Sequence, residues 1–314
     1  MKKIIMDCDT GQDDAIAIIL AIASNKFDIC GITTVGGNAK VEQCAKNTLK
    51  ILELMKRNDI PVYIGEQKPL FKELKTLPEV FGESGMAGGD DLLLSSCVKA
   101  SNIGAVEYLI DNFSKYSDIS VCATAPMTNF GKAFIKADIK INEMTIMGGC
   151  PLPEPIRNKM GNMENGTAEY NAWSDPEAFD IVVKNVENIN LIGLNVTRGV
   201  LYNYKYQDKL NSINTILSNR VAKILSAIGK EDELDYADCK KFASDPVRAM
   251  HDVVSVAYMI DKSIFKGEVM PIKIGKNGET FVDDKYGKNI NVITCVDETK
   301  FFELFVETIR RYNG

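Results

Sequence analysis

Lys3-Ile4-Ile5-Met6-Asp7-Cys8-Asp9-Thr10-Gly11-Gln12-Asp13-Asp14-Ala15-Ile16-Ala17 opens the chain with an apolar run, an acidic loop and a second apolar run. Lys3 to Met6 read as a short buried strand, and Asp13 to Ser24 as a helix. Outward from there, Ile29 to Val35 form a second apolar, β-branched strand. Val41 to Met55 return to helical spacing, with Ala45, Leu49, Leu52 and Met55 near one face. Pro61-Val62-Tyr63-Ile64-Gly65 is a third strand closed by glycine. Strand, helix, strand, helix in this rhythm predicts an α/β fold, with a mostly parallel central sheet flanked by helices.

Residues 66 to 100 break the rhythm with glycine and proline, including Gly88-Gly89-Asp90-Asp91, and read as a long functional loop. The pattern resumes with helix 103–115, strand 118–123, helix 127–136 and strand 143–147. Gly148 to Asn171 is a second irregular stretch, rich in proline and in Gly-Asn and Asn-Gly pairs. Helix 176–185, strand 189–194 and helices across 203–229 and 246–260 follow. Strands over 268–298, with a turn at Lys276-Asn277-Gly278, precede a last helix at 299–312. No repeat, low-complexity tract or linker divides the chain, so a single domain over 1–314 is expected.

At 314 residues with 45% hydrophobic and 25% charged, the chain can bury a large core without disulfides or structural metals. Its 37 basic and 43 acidic residues leave a net charge of −6, and adjacent basic residues come only in pairs. That lacks the footprint of a nucleic-acid binder. The eight cysteines form no C-x-x-C pair, which fits reduced thiols in a cytoplasmic protein. Met1-Lys2-Lys3 precedes only three apolar residues, too short for a signal-peptide core. The longest apolar stretch, Ala15 to Ala23, is far below the roughly 20 residues that span a bilayer. A soluble protein with no membrane or nucleic-acid partner is expected.

Asp7, Asp9, Asp13 and Asp14 place four carboxylates just past the end of a strand, where open α/β sheets bind ligands. Helix capping explains one or two of them. Four ionised carboxylates so close call for positive charge between them, and a hard cation such as Ca²⁺ or Mg²⁺ fits. An EF-hand loop would need Glu at its twelfth position, which is Ile18. A Mg²⁺-dependent phosphatase of the haloacid-dehalogenase type also begins with a strand and D-x-D. There Asp7 would be the nucleophile, Asp9 the acid and Asp90-Asp91 a late metal site. That class usually has Thr or Val where this chain has Gly11, and it has no use for Asp13-Asp14.

The run Asp7 to Ala17 closely resembles the signature of the inosine-uridine nucleoside hydrolases. The likeness continues in order through Thr34-Val35-Gly36-Gly37-Asn38, Gly82-Glu83-Ser84-Gly85-Met86 and Thr124-Ala125-Pro126-Met127-Thr128-Asn129. Met147-Gly148-Gly149, Ala168-Glu169-Tyr170-Asn171, Asp175-Pro176-Glu177-Ala178 and His251-Asp252 complete it. The resemblance implies a Rossmann-like nucleoside hydrolase fold and cleavage of ribonucleosides to free base and ribose. It implies a Ca²⁺ held by Asp9, Asp14, Asp252 and the Thr124 carbonyl, with Asp9 as general base for a Ca²⁺-bound water. Asp13, Asn38, Asn162, Glu169 and Asn171 would hold the ribose, with Asn165 an alternative to Asn162. His251, the sole histidine, would serve the departing base. A homodimer or homotetramer is implied as well.

Departures from the family pattern sit mostly on the base side. Phe81 replaces a frequent histidine, Tyr236 is the nearest match to the base-contacting tyrosines, and Arg198 stands where a histidine is often seen. Trp173 reads as a packing residue, and Cys8, flanked by aspartates, as a small buried side chain rather than a nucleophile. A nucleoside or sugar sensor with the metal site but little catalysis is the non-enzymatic alternative.

Overall fold

A computed structural model describes residues 1–76, 78, 82–86, 98–155, 159–163, 167–227 and 248–312. The expected alternation is present: β1 (Lys2–Cys8), α1 (Gln12–Ala23), β2 (Phe27–Thr34), α2 (Val41–Leu54) and β3 (Val62–Ile64). Then come α3 (Ala105–Lys115), β4 (Ser120–Ala123), α4 (Thr128–Lys136) and β5 (Glu143–Met147). The chain continues with α5 (Tyr170–Ser174), α6 (Pro176–Asn185), β6 (Asn188–Ile192) and α7 (Leu194–Thr197). After β7 (Leu201–Tyr202), α8 (Tyr204–Ile213) and α9 (Ile216–Ala227) come β8 (Arg248–Ala249) and α10 (His251–Ile260). β9 (Phe265–Ile274), β10 (Thr280–Val282), β11 (Lys288–Val296) and α11 (Glu298–Arg311) close the described chain.

Nine strands form one sheet in the order β10-β9-β11-β6-β5-β4-β1-β2-β3. Every pairing from β11 to β3 is parallel, and only the β9 and β10 edge runs antiparallel. β1 is the pivot: the chain first adds β2 and β3 on one side, then β4, β5 and β6 on the other. Such a reversal opens a crevice at the carboxyl ends of the two central strands. The acidic loop leaves β1 there, and Thr124 follows β4.

Side chains along β1 alternate between two cores, as strand geometry requires. Ile4, Met6 and Cys8 pack with Ile16 and Leu20 of α1, Val253 of α10 and Phe301 and Phe305 of α11. Ile5 packs on the opposite face with Leu109 of α3, Phe130 of α4 and Phe179 of α6. Residues 14–22 of α1 are all buried, which suits a helix covered by both the sheet and α10 and α11.

Two local features differ from expectation. The helix foreseen across 246–260 begins only at His251, because Arg248 and Ala249 pair antiparallel with Tyr202 and Leu201. The irregular stretch after Gly148 ends in the short helix α5, started by Glu169 as its cap. Among the described residues, no helix is long and apolar enough to cross a membrane.

Candidate active site

The acidic loop is braced from several directions. Asp9 is buried and its Oδ2 accepts from the Asn38 backbone N–H at 2.7 Å. A Cβ on Gly37 would stand 2.0 Å from that oxygen, so glycine is what lets the β2 loop approach. Asp14, in the first turn of α1, accepts from the Gly11 N–H at 3.1 Å and from the Thr124 hydroxyl at 2.7 Å. Capping is therefore one task of Asp14, but its other oxygen is turned to β4.

Asp252 reaches the same place from the first turn of α10. Ligand oxygens of Asp13, Asp14 and Asp252 lie within 4.8 Å of one another, a group able to hold a metal ion. The structure thus groups Asp13, expected on the ribose, with two expected metal ligands, while Asp9 stands beside them against Asn38. Burial is the main cause that raises all four carboxyls, with mutual repulsion next for Asp9, Asp14 and Asp252. Asp14 is pushed up to about 7. Such a nest is costly when ionised and is relieved by a cation.

Across the crevice, Glu169 is 3% exposed and its carboxylate accepts three backbone N–H groups: Gly149 at 2.8 Å, Asn171 at 2.9 Å and Ala172 at 3.1 Å. Burial outweighs those bonds and lifts its pKa to about 7. Asn171 donates from Nδ2 to the Thr124 carbonyl at 3.0 Å and to the Met147 carbonyl at 3.2 Å, tying the ends of β4 and β5. Asn162 accepts from the Tyr170 N–H at 3.1 Å. Asn38 approaches Asp14 Oδ2 from its Nδ2 at 3.4 Å. His251, first residue of α10, has Nδ1 2.7 Å from the Thr197 hydroxyl.

Asp7 takes no part in the crevice. It is fully buried and accepts from Thr33 and from Asn129 Nδ2 at 2.8 Å, an arrangement unsuited to an attacking nucleophile. Cys8 is buried, and burial followed by the Asp14 charge holds its thiol well above the ordinary range. Trp173 packs against the ammonium groups of Lys72 and Lys75 at 5.4 and 5.3 Å. Phe81, Asp90, Asp91, Asn165 and Tyr236 lie outside the described residues.

Sequence reasoning missed Asn47. It is fully buried in α2 and donates from Nδ2 to the Thr10 carbonyl at 2.9 Å and the Ser84 carbonyl at 2.8 Å. It thereby staples the Gly82–Met86 loop to the acidic loop. The available signal is an amide, next to Thr48, on the mostly apolar buried face of α2. Asn47→Ala is expected to cost about 2 kcal/mol, because the buried Thr10 carbonyl and the half-buried Ser84 carbonyl lose the Asn47 donor. Urea unfolding checks this, and a loss under about 0.5 kcal/mol would refute it.

The chain resembles known proteins over nearly its whole length. A family model of the inosine-uridine preferring nucleoside hydrolases matches residues 4–303. The chain belongs to this family. This nucleoside hydrolase is 30% identical to the pyrimidine-specific ribonucleoside hydrolase RihA of Escherichia coli K12, over 98% of both chains. Among solved structures, it is similar to the purine-preferring ribonucleoside hydrolase of Gardnerella vaginalis, with TM-score 0.86, 29% identity and 98% of both chains covered. It is also similar to a plant nucleoside hydrolase, PpNRh1, with TM-score 0.87 and 25% identity over 100% of this chain and 99% of that one. One departure from the family pattern has a visible purpose here. Arg198 pairs with Glu154 at 3.2 Å, both buried, and anchors the loop after β5 to the end of α7.

Proposed function

We propose that this chain hydrolyses the N-glycosidic bond of ribonucleosides, releasing free base and ribose. The observation that carries the reading is the convergence of Asp13, Asp14 and Asp252 beside Asp9 and Thr124, at the pivot of the sheet, with His251 adjoining. The donor set fits a hard divalent cation: carboxylates and a backbone carbonyl are oxygen ligands of the kind Ca²⁺ takes. Asp9, Asp14, Asp252 and the Thr124 carbonyl would hold Ca²⁺, with Asp13 within reach. When bound, the cation supplies positive charge that orients water and the ribose hydroxyls and lowers the water's pKa.

Asp9 takes the proton of the attacking water. Bond cleavage builds positive charge on the ribose, and the surrounding carboxylates stabilise that charge more than the neutral ground state. Asp13, Asn38, Asn162, Glu169 and Asn171 hold the sugar hydroxyls. Glu169 is suited to this because three amides fix its carboxylate before substrate arrives. His251 donates a proton to the leaving base. The reading includes a cytoplasmic location, one domain over the whole chain, and assembly as a homodimer or homotetramer, which sedimentation tests.

The relatives' names divide between pyrimidine and purine preference, so both kinds of base belong in the test. Ribose release is measured from inosine, adenosine, guanosine, uridine and cytidine, with and without a calcium chelator. Release that collapses on chelation and returns with Ca²⁺ is the expected result. No ribose from any nucleoside, in folded and cation-loaded protein, would overturn the proposal in favour of a sensor.

A further inference from the structure

The contact between Thr197 and His251 joins two segments that no sequence pattern links. Thr197 is fully buried at the last position of α7, with its hydroxyl 2.7 Å from His251 Nδ1. Its backbone is held firmly: Thr197 N–H donates to the Gly193 carbonyl at 3.1 Å, and Leu194 N–H to the Gly149 carbonyl at 3.1 Å. Asn195 Nδ2 adds a bond to the Ile293 carbonyl of β11 at 2.9 Å. Just beyond Thr197, Met250 N–H donates to the Val200 carbonyl at 3.2 Å, and β7 pairs with β8. This two-residue ribbon holds the segment after Thr197 against the segment before His251. The hydroxyl and the imidazole are thus both set by rigid backbone.

We propose that Thr197 is a positioning residue whose hydroxyl accepts Nδ1–H of His251, fixing the ring so that Nε2 delivers the proton to the departing base. The proposal rests on the nucleoside-hydrolase reading above. An acid that gives up a proton from one ring nitrogen keeps the other protonated throughout, and an acceptor at Nδ1 enforces that division. As the C1′–N bond breaks, its electron pair leaves with the base, which takes the proton from Nε2. Water adds its hydroxyl to C1′ and gives its proton to Asp9. The Nδ1 proton stays on the ring, hydrogen-bonded to Thr197; after release Asp9 gives its proton to solvent and solvent reprotonates Nε2. The sum is one water added across one bond.

His251 is the only histidine, so its imidazole gives a single spin system. Nitrogen-15 correlation spectra of the calcium-loaded protein, at a pH where the ring is neutral, are expected to show Nδ1–H in wild type and in Thr197→Ser. Thr197→Val should shift the ring toward Nε2–H. In kinetics, Thr197→Val is expected to lower kcat on inosine and uridine by about 10- to 100-fold with little change in KM. Its loss on p-nitrophenyl riboside, whose leaving group needs no proton, should stay within about threefold, and Thr197→Ser should retain activity within about threefold on both substrates. Nε2–H in the wild type, equal damage by Ser and Val, or equal losses on the two substrates would each overturn the proposal. Nδ1–H together with no ribose from any nucleoside would support the positioning and overturn the hydrolase reading, so the two fail separately.

Discussion

Stripping divalent cations at about pH 8 is expected to abolish ribose release and to lower unfolding free energy by a few kcal/mol, whereas stripping at about pH 5 costs much less. The reason lies in the carboxyl nest. Asp14 is raised to about 7, and Asp9 and Asp252 stand well above the ordinary carboxyl range, with burial the first cause in each. A carboxyl whose folded pKa is raised contributes stability that is fully present below its unfolded value, about 4, and is lost as pH rises through the folded value. The cation-free chain should therefore weaken from about pH 4 upward, with the Asp14 share gone above about 7. Asp7 and Glu169, also raised to about 7, add to the same trend. A cation binds the ionised nest and must displace protons from the neutral one, so its stabilising increment grows with pH. Thermal unfolding of stripped and Ca²⁺-loaded protein across this range checks the sign. An increment as large at about pH 5 as at about pH 8 would contradict the argument.

Much of this site was legible because its parts are local. Asp7 to Asp14 occupy one loop between a strand and a helix, and the apolar runs on either side announce both elements. The parallel sheet follows from the alternation of strands and helices, whereas the strand order that makes β1 the pivot does not. Asn38, Glu169, Asn171 and Asp252 are marked in the sequence only by motif order, since nothing in their immediate neighbours tells that they converge. The rest is non-local. Asn129 holds Asp7 from 122 positions away, Thr197 meets His251 across 54, and β7 pairs with β8 through two residues only. Strands that short carry no periodicity, so the ribbon read as helix on one side and was passed over on the other. Capping and cation binding are not rivals for the same carboxylate. Asp14 is placed for both, accepting from Gly11 N–H with one oxygen and standing in the acidic group that could hold a cation.

His251→Ala should lower turnover on inosine and uridine by about 10²- to 10⁴-fold, and on p-nitrophenyl riboside by under about tenfold. A purine or pyrimidine leaves poorly as an anion, so the transition state for its departure gains from a proton. Nitrophenolate leaves readily without one, and only the binding and water-activating parts of the site then matter. The sugar, the cation ligands and Asp9 are common to both substrates, which makes the ratio of the two losses the informative quantity. Asp252 is the next residue and also begins α10, so the substitution must be shown to spare the acidic nest. Metal analysis of the variant does that: a Ca²⁺ content equal to wild type ties the loss to the imidazole. Equal losses on both substrates at full Ca²⁺ content would remove His251 from leaving-group chemistry and place its contribution in binding or in water attack. Because ribose release from the activated substrate persists in the expected outcome, the variant also separates proton donation from the oxocarbenium-stabilising work of the carboxylates.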